Sequence, residues 1–157
     1  MIEDGKHIEY VGPLGKERDV KLDLADDERV QNTATRPLFH RYPDQAAAEI
    51  RVYTLDEVGA EKLRCVVQRL QARDLFDLNE LLVVNELDAS AIWPLFERKA
   101  RHKGVDPARF ADMFEKRVPQ WKARWQAEME THVAGDPQPF NSVERAVRRA
   151  LREQLRS

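Results

Sequence analysis

TLDEVGAEKLRCVVQRLQARDLFDL, residues 54–78, is the stretch that decides the fold. Thr54 and Glu57 have the spacing of a capping box, in which the hydroxyl and the carboxylate satisfy free backbone donors at a helix start. Val58, Leu63 and Val66 then recur at spacings that place apolar side chains on one helical face. The pattern predicts a helix from Leu55 to about Gln71.

The chain beyond this stretch also has helical periodicity. Trp121, Trp125 and Met129 follow Pro119 at intervals of four residues, which is typical of an apolar stripe that packs in a core. We predict helices over 74–86 and 88–101, a short helix over 110–114, a separate helix after Pro119, and a last helix from Asn141.

The first third of the chain has strand patterns instead. His7–Val11 and Val20–Leu24 alternate around Gly12-Pro13-Leu14-Gly15 and predict a hairpin, in which Lys21 and Asp23 share one face. Residues 26–42 are polar and are predicted to cross the surface without regular structure, before a third strand over 50–53. The expected class is α/β (α+β). We expect a single domain of 1–157, strand-rich over 1–53 and a predominantly helical bundle over 54–157.

Composition limits the kinds of function. Lys and Arg (26) nearly balance Asp and Glu (28), so attraction to nucleic acid must be local. The first residues lack the pattern of a signal peptide and no apolar run suits a membrane span, so we expect a cytoplasmic protein without membrane contact. Cys65 lies among apolar neighbours and is expected to be a buried, unreactive side chain. The four histidines are expected to be surface or capping residues.

Charged side chains are dense in and just after the first predicted helix. Lys62, Arg69 and Arg73 have helical spacing and are expected to form one cationic stripe, with Asp74 and Asp77 close by. Two interpretations follow from the residues alone. The set is either a structural network of salt bridges or a site that binds phosphate, because Lys and Arg are the usual phosphate ligands.

Three short motifs occur in a fixed order along the chain. They are KLD at Lys21–Asp23, EKL at Glu61–Leu63, and Arg69 followed by RDLFD at Arg73–Asp77. This arrangement, from Gly12 to Glu86, resembles the AbiEii/AbiGii-type nucleotidyltransferase toxin family, specifically its carboxyl-terminal portion. The resemblance implies a small remnant sheet of a polymerase-beta-like nucleotidyltransferase core, followed by helices.

The same resemblance implies roles for particular residues. Asp23 would be the strand carboxylate near a metal, and Lys62 would contact a nucleotide triphosphate. Asp74 or Asp77 would orient that lysine or the nucleotide. Lys21, Arg69 and Arg73 would bind the nucleotide as well. Mg²⁺, a nucleotide triphosphate, an RNA acceptor and a cognate antitoxin are the implied cofactor and partners.

One part of the family pattern is not found in this sequence. The family opens with a Gly-Gly or Gly-Ser turn and an Asp-x-Asp pair, and the eleven residues before Gly12 contain neither. We therefore expect the chain alone to be impaired in catalysis, and an inactive derivative that binds a nucleotide or a partner is the alternative. A homodimer and an arginine-rich last helix that contacts RNA are further possibilities.

Overall fold

The computed structural model describes residues 6–22, 27–41 and 43–156. The fold is mixed α/β, with four short strands followed by helices. The strands are β1 (Lys6–Val11), β2 (Glu17–Leu22), β3 (Thr33–Pro37) and β4 (Glu49–Tyr53). The α-helices are α1 (Leu55–Gln68), α2 (Ala72–Asn79), α3 (Ala89–His102), α4 (Phe110–His132) and α5 (Phe140–Ala150). A π-helical turn, Glu80–Val84, continues α2, and a 3₁₀ turn, Pro107–Arg109, precedes α4.

The predicted hairpin at the start of the chain is confirmed. β1 and β2 pair antiparallel, with Ile8 opposite Val20 and Tyr10 opposite Arg18. The alternation places Ile8, Tyr10, Val20 and Leu22 on one face, and all four side chains are exposed. This apolar face, which we call the hairpin face, therefore lies outside the core.

A second, separate sheet corrects the prediction for residues 26–42. β3 pairs antiparallel with β4, so that Thr35 lies opposite Arg51. The sequence did not reveal β3 because its side chains lack an apolar alternation. The strand is fixed by backbone pairing with β4, and this pairing continues past Pro37, because the Leu38 amide donates to the Ala48 carbonyl at 2.8 Å. The four strands thus form two small sheets rather than one.

The helices differ from their predicted limits at two places. α1 ends at Gln68 rather than near Gln71, so Arg69 stands at its carboxyl-terminal cap in an extended conformation. α4 is one continuous helix through Pro119, where the sequence predicts a break. Phe114 and Trp121 flank Pro119 and are both fully buried. Their packing outweighs the backbone hydrogen bond that proline cannot make.

The core of the described residues lies wholly in the helical part of the chain, beginning at Ala60. Aromatic rings run through it, with Phe114 edge-on to Trp121 at 5.2 Å between centroids and Trp125 edge-on to Phe140 at 5.4 Å. Cys65 is buried, as predicted. No helix within the described ranges is both long and apolar enough to cross a bilayer. The helical bundle therefore supplies the rigid frame for the charged residues.

Candidate functional site

Lys62 is the centre of a compact charged cluster between α1 and α2. Its ammonium group donates to Asp74 Oδ1 at 3.1 Å and to Asp77 Oδ2. Asp74 is fully buried, whereas about a quarter of each of the Lys62 and Asp77 side chains is exposed. The structure thus brings together the lysine and both carboxylates that the sequence singled out. We call Lys62, Arg69, Asp74 and Asp77 the Lys62 cluster.

Arg69 holds the buried carboxylate from the other side. Its Nε and one terminal nitrogen donate to the two oxygens of Asp74 at 2.8 and 2.9 Å, a bidentate geometry. Burial by itself raises the pKa of the Asp74 carboxyl, but the bonds from Arg69 and the charge of Lys62 outweigh it, and the pKa lies below its ordinary value. Asp74 is therefore a fixed anion that two cations share.

The lysine is charged in this setting. Burial alone lowers the pKa of Lys62, but hydrogen bonding and attraction from Asp77, followed by the charge of Asp74, raise it above the ordinary value. A protonated ammonium group beside one immobile and one partly exposed carboxylate is suited to contact an incoming anion. It is not suited to accept a proton.

His132 joins the cluster from α4. Its Nε2 lies 3.3 Å from Asp77 Oδ1, and its ring meets Phe76 edge-on at 6.2 Å between centroids. No sequence pattern distinguishes His132 from the other histidines, because it lies 55 residues beyond Asp77. Only the packing of α4 on α2 brings the two together.

A line of polar side chains on α4 fixes the turn between α1 and α2. Arg117 donates to the Val67 carbonyl at 2.8 and 3.1 Å, and Arg124 donates to the Leu70 carbonyl at 3.0 Å. Glu128 accepts from the Ala72 amide at 2.7 Å, at the start of α2. Cations meet the carboxyl-terminal end of one helix and an anion meets the amino-terminal end of the next, which are the favourable pairings with helix dipoles.

Three predicted site residues are not part of the Lys62 cluster. Arg73 lies on α2 rather than on α1, and its side chain donates to Gln71 at 3.1 Å. The predicted stripe of three cations is wrong, because α1 ends before Arg69. Lys21 lies on β2, paired with His7 of β1. Asp23 lies outside the described residues.

Comparison with protein families bears on the resemblance that these motifs indicate. A family model described as nucleotidyl transferase AbiEii toxin, type IV TA system, matches residues 5–153. The chain belongs to the AbiEii family. No curated protein and no solved structure matches it. Membership places the Lys62 cluster in a family of nucleotidyl transferase toxins from type IV toxin–antitoxin systems, which implies a nucleotide substrate and a cognate antitoxin.

The AbiEii match raises the question of a metal. In the described ranges no group of three or more His, Cys, Asp or Glu side chains is placed to hold an ion. Asp74 and Asp77 are turned onto Lys62 and Arg69, so their oxygens are occupied by cationic side chains. The carboxylates of the Lys62 cluster therefore do not fit a divalent cation.

A second polar network anchors the chain that leads from β2 to β3 in this AbiEii member. Glu57, fully buried, accepts from the amides of Asn32 and Gln31 at 3.0 and 3.3 Å and lies 2.7 Å from Lys99 Nζ. Lys99 also donates to the Arg29 carbonyl at 3.0 Å.

The predicted capping box is thus half confirmed. Thr54 accepts from the Glu57 amide, whereas the Glu57 carboxylate binds residues 31 and 32 instead of reaching back to Thr54, whose amide donates to Asn32. Glu57 therefore links the first turn of α1 to the strand-rich part of the chain.

Proposed function

We propose that this chain binds a nucleotide triphosphate at the Lys62 cluster and acts in nucleotidyl transfer to an RNA acceptor. The observation that carries the proposal is the placement of Lys62 between Asp74 and Asp77, at motif positions within the AbiEii match. A lysine that is charged, partly exposed and fixed by flanking carboxylates has the properties of a phosphate ligand.

The two carboxylates have different roles in this proposal. Asp74 is buried and held by Arg69 through two bonds, so it keeps the lysine in place. Asp77 is partly exposed, and a phosphate oxygen would replace it as the second partner of Lys62. Phosphoryl-type transfer depends mainly on positioning and on charge stabilisation, and a preset ammonium group supplies both.

Other predicted residues complete the proposal. Arg69 and Arg73 add positive charge near the entering phosphates, and Lys21 adds charge from the strand-rich part. A divalent cation such as Mg²⁺ is assigned to Asp23, not to the Lys62 cluster. An antitoxin partner and a cytoplasmic location follow from the proposed toxin role, because that is where nucleotides and RNA are present together.

Incubation with nucleotides labelled at the α-phosphate, Mg²⁺ and total RNA tests this function. Label on RNA that depends on Lys62, shown by comparison with Lys62→Ala, is the expected result. Lys122→Ala is the matched control, because Lys122 is an exposed lysine on α4. Label that is unchanged in Lys62→Ala would contradict the role of the cluster.

One observation favours a second candidate function, which is binding to a partner without transfer. The hairpin face exposes Ile8, Tyr10, Val20 and Leu22, whose side chains are between 37% and 53% accessible. Contiguous exposed apolar side chains mark surfaces that another chain covers. An antitoxin or a second copy of this chain would cover it. Nucleotide binding without label on RNA, together with hairpin-dependent partner binding, would favour this inactive derivative.

A further inference from the structure

A cavity lies where the second half of α4 passes the start of α2. It is open to solvent, has a volume of about 270 Å³ and is lined by Gln71, Arg73, Arg124, Glu128, Thr131 and His132. Clefts that hold whole small ligands run from about 300 to 1,000 Å³. This cavity therefore suits one charged end of a ligand rather than a complete nucleotide.

The charges that line the cavity favour an anion. Arg73 and Arg124 are exposed, and their side chains donate to neutral acceptors, Gln71 Oε1 at 3.1 Å and the Leu70 carbonyl at 3.0 Å. The carboxylate that lines the cavity, Glu128, is turned to the amides of Ala72 and Arg73 at 2.7 and 3.3 Å. Its distance to Arg124 is 4.0 Å, so that ion pair is loose.

The cavity adjoins the Lys62 cluster through one shared side chain. His132 lines the cavity and also lies 3.3 Å from Asp77, the carboxylate that pairs with Lys62. Arg73 and Asp77 are four residues apart on α2, so they project from the same side of that helix. A ligand bound at Lys62 can therefore extend an anionic group into the cavity.

We propose that this cavity binds the terminal phosphates of the nucleotide triphosphate, with Arg124 as its principal ligand on α4. Arg73 lines the cavity from α2, and the Thr131 hydroxyl and the His132 ring complete the polar lining. Guanidinium groups bind phosphate oxygens in a bidentate manner, which makes arginine suited to this role. The inference rests on the proposed function, because it assigns one end of the same substrate.

Calorimetric titration of the full chain with inorganic tripolyphosphate, without metal and at low salt, tests the cavity directly. Arg124→Gln removes the guanidinium charge, and the matched control is Arg149→Gln, an exposed arginine on α5. We expect the loss of a charged hydrogen bond to weaken binding by roughly tenfold or more in Arg124→Gln, with no change in the control. Thermal unfolding of each variant establishes that it is folded.

Each other outcome overturns the proposal. No binding by the wild-type chain, or equal affinity in folded Arg124→Gln, shows that the cavity is not a phosphate site. Equal weakening in Arg149→Gln shows attraction to the overall charge only. A short RNA that binds through Arg124 when tripolyphosphate does not would reassign the cavity to the acceptor. Because tripolyphosphate carries no nucleoside, these results are independent of whether nucleotidyl transfer occurs.

Discussion

Glu57 and Lys99 form an ion pair from which water is almost wholly excluded, since their side chains are 0% and 4% accessible. The backbone amides of residues 31 and 32 satisfy the remaining capacity of the carboxylate. Such a pair contributes little compared with an apolar pair of the same volume, but the loss of one partner leaves a buried charge without compensation. The pair therefore specifies where residues 29–32 lie on the helices.

Removal of the lysine tests this role. Lys99→Met is expected to lower the free energy of unfolding by about 3–5 kcal/mol, because Glu57 stays buried without its cation. The measurement is urea denaturation followed by circular dichroism. Lys116→Met, at an exposed position of α4, is the control and should change stability by no more than about 0.5 kcal/mol. A similar, small effect in both variants would show that the pair is not structural.

Acid should weaken the ion pair between Glu57 and Lys99. Burial alone raises the pKa of Glu57, but the bonds from Lys99, Asn32 and Gln31 outweigh it, and the pKa lies below its ordinary value of 4.5. The folded chain thus binds fewer protons at this group than the unfolded chain. Its stabilisation is complete above pH 4.5 and is lost as the pH falls through the lower, folded-state value.

The variant Glu57→Gln isolates that effect. The difference in unfolding free energy between wild type and Glu57→Gln should be largest near about pH 6 and should shrink toward about pH 3. The reason is that only the wild type has a carboxylate at position 57 that acid can protonate. Denaturant titrations across this range give the difference. A difference that stays constant with pH would contradict the assignment of the acid sensitivity to Glu57.

At the scale of elements, α4 is the helix that organises the site. One side of it buries Phe114, Trp121, Trp125 and Met129 in the core. Arg117, Arg124, Glu128 and His132 contact the end of α1, the start of α2 and Asp77. The intervals of seven and four residues keep these polar side chains along one side of the helix. A continuous α4 is therefore necessary for the geometry of the Lys62 cluster.

Pro119 interrupts the hydrogen-bond ladder of that helix. Pro119→Ala should restore a backbone bond and raise the free energy of unfolding, by up to about 3 kcal/mol if the ring strains the preceding turn. Thermal and urea unfolding measure the change. Because residue 119 is exposed, the substitution removes little buried side-chain packing. A loss of stability in Pro119→Ala would contradict the continuous helix and support two helices that meet at the proline.

Elements that carry their own apolar pattern can be predicted from the sequence. The apolar spacing of α1 and the alternation of β1 and β2 are local signals, so the sequence predicts all three elements. β3 was missed because its stability comes from pairing with β4. The end of α1 was misplaced because Arg117 and Arg124, some fifty residues later, fix the turn that follows it.

Some residues of the candidate site can be associated from their sequence spacing, and others cannot. Lys62, Asp74 and Asp77 lie within one motif region, so their sequence spacing was enough to associate them. His132 and Arg124 join them only through the packing of α4, and no local pattern indicates that. The structure brings these side chains together, but every assigned role stays a prediction, as does the organisation as a single domain. The residues concerned are Lys21, Asp23, Lys62, Arg69, Arg73, Asp74 and Asp77.

At the scale of the whole molecule, the helices hold the core and the two small sheets lie outside it. Every described side chain of β2 is exposed, and the hairpin face contributes nothing to the buried cluster. A surface of this kind is available to another chain without any change in the helical bundle.

Substitution on the hairpin face separates binding from folding. Ile8→Thr with Val20→Thr should change the free energy of unfolding by no more than about 0.5 kcal/mol per site, because both side chains are exposed. Sedimentation or light scattering of the purified chain, and pull-down of a candidate antitoxin, measure association. Loss of stability comparable to a core substitution would show that the hairpin face is buried in the folded chain.

We propose that Lys62, fixed by Asp74 and Asp77, contacts the phosphates of a nucleotide. Calorimetric titration of the full chain with ATP, CTP, GTP and UTP in Mg²⁺ buffer tests it most directly, with Lys62→Ala and Asp77→Ala beside the exposed-lysine control Lys122→Ala. We expect the wild type and the control to bind at least one nucleotide, and we expect Lys62→Ala to abolish binding. No binding by folded wild-type chain, or equal binding by folded Lys62→Ala, would contradict it.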